Sequence, residues 1–210
     1  MPPTVIEGGH GPGKSQFICG FLGCDLRPFN PVLSTLPRLL RIRPPHSGNG
    51  LSHLIAFALH ELREPRSAGQ VVRLRTAELL FVEVMRRYLE ALPSEQTGWL
   101  AGLRDPLVAR ALALLHNAPA QDWTLDALAA RAATSRSVLA ERFVHFIGQP
   151  PMQYLRELRM QLASRLLAED GAKVASVAAA VGFESEAAFS RAFKKCVGLS
   201  PDEWRRQQAS

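Results

Sequence analysis

Apolar residues recur at three- and four-residue intervals through most of this chain, the period of amphipathic helices. Between 51 and 64, Leu51, Leu54, Ile55, Ala58 and Leu62 fall on one face, with His53 and His60 off or beside it as surface or partly buried imidazoles rather than ligands. A longer run, from about Gly69 to Leu92, places Leu74, Ala77, Phe81, Val84, Met85, Tyr88 and Leu92 on its main stripe. Leu79, Leu80 and Val82 carry the apolar surface further round. A helix apolar on several sides wants more than one partner. Burial against 51–64 and a homodimer seam along both helices are the two readings. The next stretch, PSEQTGWLAGLR over 93–104, is rich in turn formers and predicts a linker.

From Asp105 onward the pattern becomes a series of short helices with clear stops. Asp105-Pro106 opens the first, since Asp caps free N–H groups and Pro loses no needed donor there. Its stripe is Leu107, Ala111, Leu114 and Leu115, and Trp123 covers the core edge beyond its end. Thr124 caps a short helix burying Leu125, Leu128, Ala129 and Ala132. Ser135 caps another, with Val138, Leu139, Phe143, Phe146 and Ile147 inward and Arg136, Ser137, Ala140, Glu141 and His145 exposed. Gly148 and Pro150-Pro151 end that pair and start a helix over 151–168, with Leu155, Leu158, Leu162 and Leu166 on one side. Arg156, Arg159 and Arg165 are assigned to its solvated face, with one or two of them as further candidates to touch phosphate. A second pair follows. Val174, Val177, Ala178 and Val181 precede Gly182, and Ser185 caps a helix whose buried stripe is Phe189, Ala192, Phe193 and Cys196. Gly198 and Pro201 stop it. Two short helices around a tight Gly-containing turn outline a helix-turn-helix, and the pattern occurs twice.

The second of these closely resembles the C-terminal signature of the AraC/XylS family of bacterial transcription regulators. The matching residues are Val181-Gly182-Phe183, Phe189-Ser190-Arg191-Ala192-Phe193-Lys194-Lys195 and Gly198-Leu199-Ser200-Pro201. The segment SRSVLAERFVHFIGQPPMQYLRELRMQLA matches the same pattern, so the resemblance covers about Asp105–Arg206. It implies a transcription regulator that reads double-stranded DNA with one helix from each pair in successive major grooves and presents a surface to RNA polymerase. The base-reading positions it implies are Arg136, Ser137, Ala140 and Glu141 in the first head, and Glu186, Ala187, Ala188 and Arg191 in the second. Alanine offers only a methyl contact, and Glu accepts from cytosine N4. Arg142, Lys194, Lys195 and Arg205 are the phosphate-contact candidates.

The front of the chain is less regular. Gln16–Leu22 and Arg38–Arg43 are extended candidates. CGFLGCDLRPFNPVLSTLPRLLRI resembles the last part of the cupin-like sensor domain that precedes some AraC-type DNA-binding domains. There a β-barrel is followed by helices that pair two subunits. A complete barrel needs more strands than fit before Pro44, so a shortened sensor is expected, and a small-molecule effector is doubtful. Gly8–Ser15 satisfies the phosphate-loop pattern, with Lys14 as its charge. A nucleotide-hydrolysing enzyme built on it needs a following helix and a parallel sheet, and Gln16–Gly23 reads as a strand. A flexible Gly/Pro loop is the reading preferred. A third possibility is an interaction protein that pairs with a full-length regulator and titrates it.

Composition adds limits. The 210 residues are 47% hydrophobic, enough for a core. No run of about eighteen apolar residues suggests a membrane span. The first fifteen residues lack the order of a signal peptide. Cys19, Cys24 and Cys196 cannot all pair within one chain, which fits reduced thiols in the cytoplasm. Neither the cysteines nor the histidines have metal-ligand spacing, and no catalytic constellation stands out. No cofactor, metal or enzymatic activity is therefore expected. A net charge of +6 permits a nucleic-acid partner but does not locate it. The expected architecture is mainly α. A shortened cupin-like sensor and dimerisation region occupies 1–92, with a partial β remnant and two helices. A linker over 93–104 leads to two helix-turn-helix subdomains, joined by a long helix, over 105–210.

Overall fold

Strands β1 (Thr4–Gly8) and β2 (Ser15–Cys19) pair antiparallel, with Thr4 opposite Cys19 and Gly8 opposite Ser15. They belong to a computed structural model that describes residues 4–8, 15–19, 29–42, 50–64, 67–93, 96–169 and 171–208. Most of Gly8–Ser15, together with Cys24 and His46, lies outside those residues. Ser15 nevertheless begins a strand returning along β1. The strand–loop–helix order that a phosphate loop requires is therefore not met.

The Asn30-Pro31 pair starts a helix that periodicity did not reveal. Asn30 accepts the Leu33 N–H, and Pro31 stands first in α1 (Pro31–Thr35). Residues 38–42, expected to be extended, join no strand among the described residues, and Leu39 is exposed. Helices α2 (Gly50–Arg63) and α3 (Gly69–Ala91) follow and pack together. Leu51 and Ala58 are buried, as their stripe predicts, and so are Glu61 and Thr76. Thr76 donates its hydroxyl to the Val72 carbonyl one turn back. The main stripe of α3 is corrected at Leu74, which is half exposed, and Val71, Leu79, Val82 and Phe57 are exposed with it.

The stretch expected as a linker is structured from Gly98 onward. Gly98 donates its N–H to the Phe146 carbonyl, and α4 (Trp99–Gly102) buries Leu100 and Ala101. The described residues divide into two compact units. One takes in β1, β2, 37–42, α2 and α3; the other takes in 29–36 and everything from Pro93 onward.

In the second unit the expected caps form. Asp105 accepts from Leu107 and Val108 at the start of α5 (Pro106–Asn117). Thr124 caps α6 (Leu125–Arg131), and Ser135 caps α7 (Arg136–Ile147). Then come α8 (Pro151–Leu167), α9 (Val174–Ala180), α10 (Glu186–Val197) capped by Ser185, and α11 (Pro201–Gln208). Pro201 does not merely stop α10; it opens α11. Trp204 of that helix is buried and donates its indole N–H to the Ser164 carbonyl.

Two cores result. Val108, Leu112, Leu115, Leu128, Leu139 and Phe143 meet Tyr154, Leu155 and Leu158 from the front of α8. Met160, Ala163 and Leu167 from its rear meet Val177, Val181, Phe189, Phe193 and Trp204. At about 100° per residue these two sets lie on roughly opposite sides of α8. Each half of the helix therefore serves as floor to a different three-helix head. That explains why one leucine stripe on α8 predicts only part of its burial.

Candidate nucleic-acid interface

In each head one helix is fixed from below by two phenylalanine- or leucine-sized anchors and presents the other side to solvent. In α7 the anchors are Leu139 and Phe143, both fully buried. Ser137, Glu141 and Val144 run along the opposite side, flanked by Val138 and His145, and all five are exposed. Arg136, in the first turn, is exposed and lies 3.6 Å from Asp126 of α6. Ala140 sits at the edge, half-buried. Val138 is corrected from an inward position: it is 43% exposed, and Val144 is 42% exposed. Val138 reads as core from sequence because it is aliphatic, and the sequence pattern assigns Val144 to neither face. Ser135 accepts the Val138 N–H at 3.3 Å, and Leu139, the next residue, takes the buried place.

In α10 the anchors are Phe189 and Phe193. Ala187, Arg191, Lys194 and Lys195 line the opposite side and are exposed. Glu186 opens the helix, exposed beside its N-terminal N–H groups, and Ala188 is half-buried at the edge. Cys196 is corrected as well. It is exposed rather than part of the buried stripe, and its thiol pKa is raised, first by desolvation and then by the charge of Glu157. The outward faces differ in charge. The first carries one carboxylate and one imidazole among apolar and hydroxyl groups, with Arg136 at its start, and the second carries three cations.

Two of the basic candidates are tied to the protein. Arg142 pairs with the buried carboxylate of Asp105, so it holds the start of α5. Arg205 donates to the Ala172 carbonyl at 2.7 Å and to Asp202 at 3.0 Å, closing α11 on the loop before α9. Arg159 is likewise not on a solvated face. It is half-buried and donates to three backbone carbonyls, a role that its place among three arginines on one helix did not reveal. Arg156 and Arg165 are exposed as expected.

Comparison with known proteins covers both ends of the chain. A helix-turn-helix domain family matches residues 128–207, and a cupin family matches residues 2–90. An AraC-like transcription regulator of Streptomyces lividans is 45% identical over 177 residues, which are 83% of this chain and 58% of that protein. The chain belongs to the AraC/XylS family. An AraC-like regulator of Streptomyces antibioticus is 39% identical over 179 residues, again 83% of this AraC-type chain and 58% of the relative. The chain thus spans less than two thirds of the length of these relatives. Among solved structures, the C-terminal domain of the response regulator AraT from Geobacillus stearothermophilus is 31% identical. It matches with a TM-score of 0.47 over 49% of this chain and 85% of that one. Among the described residues, no group of His, Cys, Asp and Glu could hold a metal ion, and no helix is long and apolar enough to cross a membrane.

Proposed function

We propose that this chain is a sequence-specific regulator of transcription that docks α7 and α10 in successive major grooves of double-stranded DNA. The observation that carries this reading is the pair of heads built on one helix, each with a capped helix whose outward side is given over to surface residues. A span of 17 residues gives α8 a length of about 26 Å. That suits reading heads near one DNA turn apart, about 34 Å. In the first head Arg136, Ser137, Ala140 and Glu141 are the base readers, with Val138 and Val144 beside them for thymine methyl groups. In the second, Glu186, Ala187, Ala188 and Arg191 read bases, while Lys194 and Lys195 grip phosphate. Arg142 and Arg205 support the heads instead, through Asp105 and Ala172.

The cupin match supports a sensor origin for residues 2–90, and the exposed apolar side chains of α2 and α3 support pairing of two copies there. The domain reading places that region in 1–92 and the DNA-binding part in 105–210. RNA polymerase in the bacterial cytoplasm is the expected downstream partner. The antiparallel return of β2 removes the reason to favour a nucleotide hydrolase.

The test is selection of duplexes from a random library by the purified chain, followed by titration at fixed salt. Arg191→Ala is expected to weaken binding to the selected duplex by about 1–3 kcal/mol. If the wild type binds selected and shuffled duplexes equally, the sequence-specific reading is wrong; if Arg191→Ala binds as the wild type does, its role as a reader is wrong.

A further inference from the structure

Arg159 stands midway along α8 and belongs to neither core. Its Nε and Nη2 donate to the carbonyls of Pro119 and Gln121, at 2.8 Å each, in the loop between α5 and α6. Its Nη1 donates to the Gly182 carbonyl, at 3.2 Å, in the turn between α9 and α10. One guanidinium therefore holds a loop of the first head and the turn of the second. Its carbon also lies 5.9 Å from the centre of the Phe183 ring. The two backbones meet at the same place. A Cβ on Gly182 would fall 2.4 Å from the Ala120 carbonyl oxygen, so only glycine, here at φ +80°, allows this approach.

The chemistry suits arginine. A planar fork reaches carbonyls in several directions at once, whereas an ammonium is a compact point charge. Burial lowers the Arg159 pKa, and the nearby charge of Asp122 opposes that shift. Charge-assisted bonds to three carbonyls offset the desolvation of the guanidinium. Such an arrangement is costly for a residue that only decorates a helix. The two cores lie on opposite sides of α8, so each head is seated on the rod independently. The described bonds of Arg159, with the Gly182–Ala120 approach, tie one head to the other directly.

We propose that Arg159 is a positioning residue that sets the separation of α7 and α10, so that the chain accepts its two DNA segments at one spacing only. This rests on the DNA-binding reading above, and goes beyond it in assigning spacing discrimination to one side chain that touches no DNA. A rod with independently seated heads would tolerate a changed interval; a bolted pair does not.

The probe is the duplex that the full chain itself selects, with copies carrying one or two base pairs inserted between the two protected segments. The wild type is expected to bind the parent about tenfold or more tightly than the inserted copies, the scale of losing a good base contact. Arg159→Ala is expected to bring that ratio to within about twofold, and Arg159→Lys to lie between, because one ammonium cannot serve both loops. Far-UV circular dichroism and melting identify variants that keep the fold, and Arg159→Lys carries the comparison if Arg159→Ala does not. An unchanged ratio in a folded variant overturns the proposal. So does a wild type that binds parent and inserted duplexes alike while still rejecting shuffled sequence, which leaves the DNA-binding reading standing. A wild type that enriches no duplex overturns both.

Discussion

Tyr154 is fully buried in α8, yet both sides of its hydroxyl are used. The Trp99 indole N–H donates to it at 2.7 Å, and His116 Nε2 lies 2.7 Å away. With its oxygen accepting from Trp99, the tyrosine proton has Nε2 as its acceptor, and the imidazole is needed neutral. Burial pushes the Tyr154 pKa upward and the His116 pKa below its ordinary value of 6.5. Below pH 6.5 the unfolded chain therefore binds a proton that the folded chain resists. The contribution of neutral His116 to stability is whole above that pH and drains as pH falls toward the lower folded value. Denaturant midpoints between pH 7.5 and 5 should fall for the wild type and fall less for His116→Gln, which keeps an acceptor but does not titrate. Parallel curves would remove His116 from the account. None of this was legible in the sequence, because Trp99 fell in a presumed linker and the partners are 38 and 55 residues from Tyr154. Arg159 hid for the same reason: a carbonyl acceptor has no residue identity to read.

At the scale of elements, caps decided what could be read. Asp105, Thr124, Ser135 and Ser185 each accept N–H groups where the sequence places them, and Gly148, Gly182 and Gly198 take positive φ. The short helices α1, α4 and α11 escaped notice, since too few apolar positions fall within them to show a period. Burial on the two anchored helices was read well at Leu139, Phe143, Phe189 and Phe193. It was misread at Val138 and Cys196, where hydrophobic type competed with helix geometry and geometry won. Asp105 does two jobs, capping α5 and pairing with Arg142 of α7. Asp105→Ala should cost more than the roughly 0.5–2 kcal/mol of a cap alone, because it also leaves Arg142 without its carboxylate. Urea titration of Asp105→Ala, Arg142→Ala and the double variant would check it. Strictly additive losses would mean the ion pair contributes nothing.

For the whole molecule, the open question set by the pattern was what covers the apolar sides of the two helices in the first unit. Phe57, Val71, Leu74, Leu79 and Val82 are all exposed. Side chains of that size in water favour self-association when they are contiguous. Val71 and Val82 fall on one line of α3, with Leu74 and Leu79 to either side. If two copies pair along it, sedimentation at micromolar concentration should show a dimer, and Val82→Lys with Leu79→Lys should shift it to monomer without loss of helix signal. A wild type that sediments only as monomer would set the pairing aside.

The two-sided burial of α8 bears on how such a chain can be recombined. A cut at Arg159 would leave each head its own half of the floor, but would end α8 in mid-helix and lose the bonds by which Arg159 joins the heads. Carrying all of α8 with one reader would expose Met160 and Leu167 on a piece that keeps the first head, or Leu155 and Leu158 on a piece that keeps the second. A portion exchanged between regulators with its cores kept closed has to run at least from Gly98 to Trp204, because Trp99 packs on the first core and donates to Tyr154.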